Sequence, residues 1–153
     1  MVQNLVSVII VNFNSGDHLR FCVESILGST IGYEIIISDN ASTDHSLLDL
    51  PEHGAIKIIK QATNLGFARA NNIVLPEAGG EYILFLNPDC VIQADTLAEM
   101  ARVMDANSGA GMAGCLVRNS DGSEQAGCRR RIPTPKRLFA QWFQQNEPYL
   151  QNR

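Results

Sequence analysis

Four segments of the chain end in side chains able to hold a polar ligand: Asn12-Phe13-Asn14, Asp39-Asn40, Thr63-Asn64-Leu65-Gly66 and Asn87-Pro88-Asp89. Phe13 offers an aromatic face on which a nucleobase can stack. Asp39 can accept the ring N–H of uracil or thymine. Asp89 is a hard oxygen ligand of the kind Mg²⁺ or Mn²⁺ takes when it bridges two phosphates. Arg69, three residues after Gly66, can stabilise a diphosphate. Each has an ordinary explanation by itself: Asn and Asp are frequent turn formers, Phe13 could be a core aromatic, and Arg69 a surface cation. Their recurrence at four successive positions is the argument for one shared polar pocket.

The elements that must position these residues alternate in type. Strands are expected at Val6–Phe13, Tyr33–Ser38, Ala55–Ile59 and Glu81–Leu86, and a fifth at Gly111–Val117. The first is a nearly continuous β-branched run, which suits a strand buried on both faces of a parallel sheet. Leu19, Cys22, Val23, Ile26 and Leu27 have the spacing of one apolar helix face, as do Leu97, Met100, Ala101 and Met104. Further helices are expected at Asp44–Leu50, before Pro51, and at Phe67–Pro76, with a last helical pattern at Leu138–Gln145. Strands alternating with helices make an α/β, Rossmann-like fold, a mainly parallel sheet flanked by helices with right-handed crossovers. In such sheets ligands bind beyond the carboxyl ends of the strands, which is where the four polar segments fall.

Composition sets the outer limits. With 153 residues, 45% hydrophobic and 18% charged, the chain can bury a core and is not a disordered or low-complexity sequence. The nearly apolar run Val6 to Val11, interrupted by Ser7, is far shorter than the roughly 20 residues of a membrane-spanning helix. No basic segment followed by an apolar stretch opens the chain, so a cytoplasmic domain is expected. Residues 1–117 carry five basic and thirteen acidic side chains, whereas residues 118–153 carry seven and three. The acidic part argues against nucleic acid as a partner. The same break divides the expected organisation into an α/β domain at 1–117 and a basic loop and helix at 118–153, where Arg129–Arg131 could grip phosphates or anionic lipid or simply be solvated.

Other chemistries are disfavoured. No G-x-G-x-x-G follows the first strand, and there is no P-loop motif or early G-x-G-T-R-like phosphate loop. Cys22, Cys90, Cys115 and Cys128 form no C-x-x-C pair and are expected as free thiols. Cys90, beside Asp89 without a histidine nearby in sequence, is expected to pack rather than act as a nucleophile. His18, His45 and His53 share no spacing that makes a ligand set.

The succession VSVIIVNFNSG, IIISDNASTD, NLGFARANN and ILFLNPDC resembles the nucleotide-binding half of family 2 glycosyltransferases, which have the GT-A fold. The later GCLVRNSDGSEQAGCRRRIP resembles the rhamnosyltransferase-like subgroup of bacterial cell-surface polysaccharide synthesis. The resemblance implies that Val11, Asn12 and Phe13 pack on the base of a UDP- or dTDP-linked sugar and that Asp39 bonds its pyrimidine ring. It implies that Arg69 lies near the phosphates, with Asn64 and Gly66 shaping that loop. Asn87 stands where many relatives have the first acid of a D-x-D motif, which leaves Asp89 as the single carboxylate for Mg²⁺ or Mn²⁺, so tight binding of the free ion is not expected. The implied reaction is inverting transfer to a saccharide or lipid-linked acceptor, at the cytoplasmic side and peripheral to the inner face of the membrane. No later acid has the context of the family's catalytic base, so none is assigned. A donor-binding portion lacking its acceptor side, able to self-associate through uncovered apolar surface, is the expected consequence; a non-catalytic nucleotide-binding module of the same fold is the alternative.

Overall fold

The apolar run at the start of the chain becomes the central strand. In a computed structural model, which describes residues 6–126 and 128, β1 (Val6–Asn12) is buried at all seven positions. It pairs in parallel with β2 (Tyr33–Asp39) on one side and with β4 (Tyr82–Leu86) on the other, and β3 (Ile56–Lys60) pairs in parallel with β2. The strand order is β3-β2-β1-β4.

Because side chains alternate across a strand, the β-branched run supplies both faces of the sheet. Val8, Ile10, Ile35 and Ile37 meet Leu19, Cys22, Val23 and Ile26 of α1 (Asp17–Leu27) and Leu97 of α3 (Thr96–Ala106). Ile9 and Ile36, on the other face, meet Val74 of α2 (Phe67–Val74). Full burial of each of these Val, Leu or Ile side chains stabilises the fold by about 1.5–3 kcal/mol before conformational entropy is deducted. The two helices take opposite faces because the chain reverses its direction of travel across the sheet. It runs outward from β1 to β3, then returns to the far side of β1 as β4, and right-handed crossovers put α1 and α2 on different faces. The reversal lies between β1 and β4, so the crevice beyond their carboxyl ends is the ligand position of a doubly wound sheet.

Several expectations are corrected. Residues 44–50 form turns rather than a helix. The Asp44 carboxylate accepts the Ser46 backbone N–H at 3.1 Å and the Gly16 N–H at 2.8 Å, side-chain bonds that compete with helical ones. No strand forms over 111–117, a stretch with glycine at 111 and 114 and little β-forming character; the only pairing there is an isolated antiparallel bridge between Arg118 and Glu124. The helix expected to reach Pro76 ends at Val74 and tightens into a 3₁₀ turn, Leu75–Glu77, since Pro76 has no N–H and its ring opposes a further α-helical turn. The first strand stops at Asn12, and Asn14 turns the chain with φ 51°. The helix expected at 138–145 and the basic residues 129–131 lie outside the described residues.

The chain forms two compact units, Met1–Ala113 and Gly114–Arg153. In the second, the described residues make a small turn in which the Asn119 N–H donates to Ser123 O at 2.8 Å and Gly122 adopts φ +83°. Among the described residues no helix is long and apolar enough to cross a membrane.

Candidate functional site

Parallel register puts Asn12 opposite Asp39, and their side chains join. Asn12 Nδ2 lies 2.8 Å from Asp39 Oδ1, 2.9 Å from Ser46 Oγ and 3.0 Å from Ser42 Oγ. Asn12 is fully buried and Asp39 is 3% exposed. The second Asp39 oxygen accepts the Ser42 N–H at 3.3 Å. Around this pair the loops after β1 and β2 are fastened to each other. Asn14 donates its N–H to Ser42 Oγ and accepts the Thr43 N–H on Oδ1 at 2.8 Å. The Ser46 hydroxyl donates to Asp44 Oδ1 at 2.6 Å; this bond, with those from the Gly16 and Ser46 N–H groups, holds the Asp44 carboxyl below its ordinary range. A depressed carboxyl supports the fold above its unfolded pKa, so this clasp weakens as pH falls into and below the ordinary carboxylate range.

Ala41, between the two halves of this clasp, has φ 63°, a left-handed conformation that its Cβ disfavours by about 1 kcal/mol or more. Ala41→Gly removes that cost but adds freedom to the unfolded chain. The expected net gain is about 0.5 kcal/mol in urea denaturation; a loss of stability would show that the loop does not hold this conformation.

The third polar segment is tied to the second. Asn40 donates from Nδ2 to Asn64 Oδ1 and accepts the Leu65 N–H, both at 2.8 Å. Asn64 Oδ1 also accepts the Gly66 N–H at 2.9 Å. Gly66 has φ +76°, a value that favours glycine and aims the first turn of α2. Arg69 sits exposed in that turn and forms no hydrogen bond or ion pair with the described residues. Ser38 Oγ donates to Ala70 O at 3.1 Å and anchors the helix to β2.

The fourth segment follows β4, with Asn87 and Asp89 exposed. The carbonyl of Asn87 accepts the Cys90 N–H at 3.1 Å and lies 3.5 Å from Cys22 Sγ, which fastens this turn to α1. Burial pushes the Cys22 thiol up to about 12, and burial followed by the Asp89 charge raises that of Cys90. Both are therefore neutral thiols, unsuited to nucleophilic attack. Asp89 belongs to no group of three or more metal-ligating side chains among the described residues. One exposed hard carboxylate fits Mg²⁺ or Mn²⁺ that takes its remaining ligands from phosphate and water.

The sequence-predicted residues thus fall into three places. Asn12 and Asp39 touch; Asn64 and Gly66 join Asn40; Asn87 and Asp89 stand at the end of β4. Among the described residues no hydrogen bond links Arg69 or Asp89 to the Asn12–Asp39 pair. Within the Val11–Phe13 segment Val11 and Asn12 are buried, whereas the Phe13 ring is 48% exposed. Reading along the chain also missed one cluster. Asp17, His45 and Asp49, all exposed, bring ligand atoms within 4.8 Å of one another, with His45 Nε2 3.4 Å from Asp17 Oδ1. Only the fold brings residue 17 to residues 45 and 49, so no spacing pattern could reveal it.

Residues 7–151 match the family model described as Glycosyl transferase family 2. The chain belongs to this family. Glycosyltransferase GlyG of Streptococcus pneumoniae is 32% identical over 114 residues, 69% of this chain and 38% of GlyG. A glycosyltransferase of PGL/p-HBAD biosynthesis from Mycobacterium tuberculosis is 35% identical over 107 residues, 66% of this chain and 42% of the relative. The chain therefore spans about two fifths of the length of these family 2 relatives. Staphylococcus aureus TarS 1–349 in complex with UDP-GlcNAc superimposes with a TM-score of 0.60 at 26% identity, over 68% of this chain and 32% of TarS 1–349. A Pyrobaculum calidifontis mannosyltransferase, solved with GDP-Man and Mn²⁺, superimposes with a TM-score of 0.61 at 22% identity, over 74% of this chain and 35% of that one. The fold is the GT-A arrangement, of which the chain covers part.

Proposed function

We propose that this family 2 chain binds the nucleoside diphosphate of a UDP- or dTDP-linked sugar and supplies the donor side of an inverting glycosyl transfer. The acceptor would be a saccharide or lipid-linked saccharide, in cell-surface polysaccharide synthesis of the rhamnosyltransferase-like type. The observation that carries the reading is Asp39: a carboxylate 3% exposed at the end of β2, held by N–H donors, where the loop after β2 is fastened to the loop after β1 that carries the exposed ring of Phe13. An oriented carboxylate suits the single ring N–H of a uracil or thymine, and an exposed aromatic suits its face. TarS, whose complex contains UDP-GlcNAc, supports the nucleotide class.

Arg69 and the unpaired N–H groups in the first turn of α2 would receive the diphosphate, as helix N-termini favour anions. Asp89, with Asn87 beside it, would hold Mg²⁺ or Mn²⁺; the Mn²⁺ complex of the archaeal neighbour supports that choice. The ion, when bound, would neutralise charge developing on the departing diphosphate. In-line attack by an acceptor hydroxyl needs a base to take its proton, and we assign none among the described residues.

Thermal melting tests the reading. Millimolar UDP or dTDP with Mn²⁺ is expected to raise Tm, by about 2.7 kcal/mol of added stability at one hundred times the Kd. Asp89→Ala is expected to abolish the part of the shift that needs the metal and to spare the part that does not. Wild-type protein that melts unchanged with either nucleotide would reject the proposal.

A further inference from the structure

We infer that Asn12 is a positioning residue: it does not touch the base but fixes the Asp39 carboxylate, and through it sets the preference for a base with one ring N–H over one that offers two donors side by side. The inference rests on the proposal that Asp39 faces the nucleobase.

The orientation of the Asn12 amide carries the argument. Its Nδ2 is within 3.0 Å of three acceptors, Asp39 Oδ1, Ser42 Oγ and Ser46 Oγ. Its Oδ1 is buried without a partner among the described residues. An orphaned buried oxygen is costly, and turning the amide over would let hydroxyl groups donate to it. That turn would set the oxygen against the Asp39 carboxylate. The amide therefore leaves one atom unpaired and donates to the Asp39 carboxylate. Ser46 can accept from Asn12 because its own hydroxyl proton is given to Asp44, so the donors run in one direction, from β1 through the loop after β2.

The consequence for recognition follows from the acceptor count. Asn12 occupies Oδ1, and the Ser42 N–H leans on Oδ2 at 3.3 Å. Only 3% of Asp39 remains exposed. A guanine edge presents two adjacent N–H donors and is gripped best by both oxygens of a free carboxylate. A bidentate grip would make Oδ1 accept from the base as well as from Asn12 Nδ2, in a carboxylate whose lone pairs are already half used, whereas the single N–H of uracil or thymine needs one site, on Oδ2. With Oδ1 held by a neighbour in the strand beside it, the site is built for the single donor.

Two measurements on the full chain test this. In a crystal structure of Asn12→Ala, Asp39 is expected to leave its single rotamer; Asp39 unmoved there would overturn the inference whatever binds. In calorimetry with UDP and GDP, Asn12→Ala is expected to weaken UDP about tenfold or more and GDP much less, which narrows the selectivity. Asn12→Asp, which sets a second carboxylate against the first, is expected to weaken UDP further than Asn12→Ala does. In an Asp39→Ala background, Asn12→Ala is expected to add less than about twofold, because its route is gone. Full additivity would overturn the inference, since it would mean that Asn12 acts on the nucleotide directly. If Asp39→Ala alone leaves UDP affinity unchanged, the pyrimidine reading fails and the selectivity claim with it, while the rotamer measurement still decides whether Asn12 positions Asp39. Should Asn12→Ala not fold, the smaller polar variant Asn12→Ser carries both measurements.

Discussion

Asp39→Ala is expected to lower UDP affinity about tenfold to one hundredfold, the effect of removing a hydrogen bond to a charged acceptor, about 1.5–3 kcal/mol. The fold should survive, because Asn12 keeps Ser42 Oγ and Ser46 Oγ as acceptors at 3.0 and 2.9 Å. Asp39→Asn sharpens the test. Its amide must point either its NH₂ or its oxygen at Asn12 Nδ2. Pointing the oxygen there satisfies Asn12 but presents NH₂ to the base, donor against donor; the opposite choice serves the base and sets two NH₂ groups together. Either way the charge-assisted bond is lost. The asparagine variant should therefore bind UDP almost as poorly as the alanine variant, while melting closer to wild type. Calorimetry with UDP, paired with urea denaturation, measures both. An asparagine variant that binds UDP as wild type does would mean that the carboxylate is not what meets the base.

The part of this site that could be read along the chain is the part that local chemistry dictates. Val6 to Val11 is β-branched at every position but Ser7, a run that suits a central parallel strand buried on both faces. Asn12, Asp39, Asn64 and Asp89 then fall at or just beyond the ends of their strands, because the strand periodicity of the apolar residues stops there. What could not be read depends on partners distant in sequence. Asp44 looks like a helix start until Gly16, 28 positions away, occupies its carboxylate. The amide of Asn12 acquires an orientation only through residues 27 to 34 positions later. The family resemblance groups Asn12 with Phe13, and only the fold shows that Asn12 is buried while Phe13, its own neighbour, is exposed. Residues 111–117 alternate too weakly to nucleate pairing, and their apolar content alone suggested a strand.

The largest effect on stability is expected at a glycine far from the nucleotide. A Cβ added to Gly80 would lie 2.6 Å from Ser7 N, 2.7 Å from Ser7 Oγ and 3.0 Å from the Val6 carbonyl carbon. These atoms belong to the central, buried strand and cannot withdraw as a flexible side chain would, so either β1 or the entry to β4 must move. The move would also break a local network. Gly80 N–H donates to Ser7 Oγ at 2.8 Å, the Ser7 hydroxyl donates to Glu34 Oε1 at 2.5 Å, and Gly79 N–H donates to the same oxygen at 2.6 Å. Overpacking of this kind, with loss of a part-buried hydrogen bond, is expected to cost about 3 kcal/mol, a large share of a domain's net stability. Gly79→Ala is the internal control. Its Cβ would meet only Glu34 Oε1, at 3.5 Å, an ordinary contact, and the change should be within about 0.5 kcal/mol. The displacement has a functional consequence as well, because Tyr82 pairs with Val6 two residues after Gly80 and β4 delivers Asn87 and Asp89 at its other end. In urea denaturation Gly80→Ala should unfold well before Gly79→Ala. Under conditions where it remains folded, it should lose more of the Mn²⁺-dependent UDP shift than of the metal-free shift. Equal stability of the two variants would show that β1 and β4 are not packed as closely as this geometry requires.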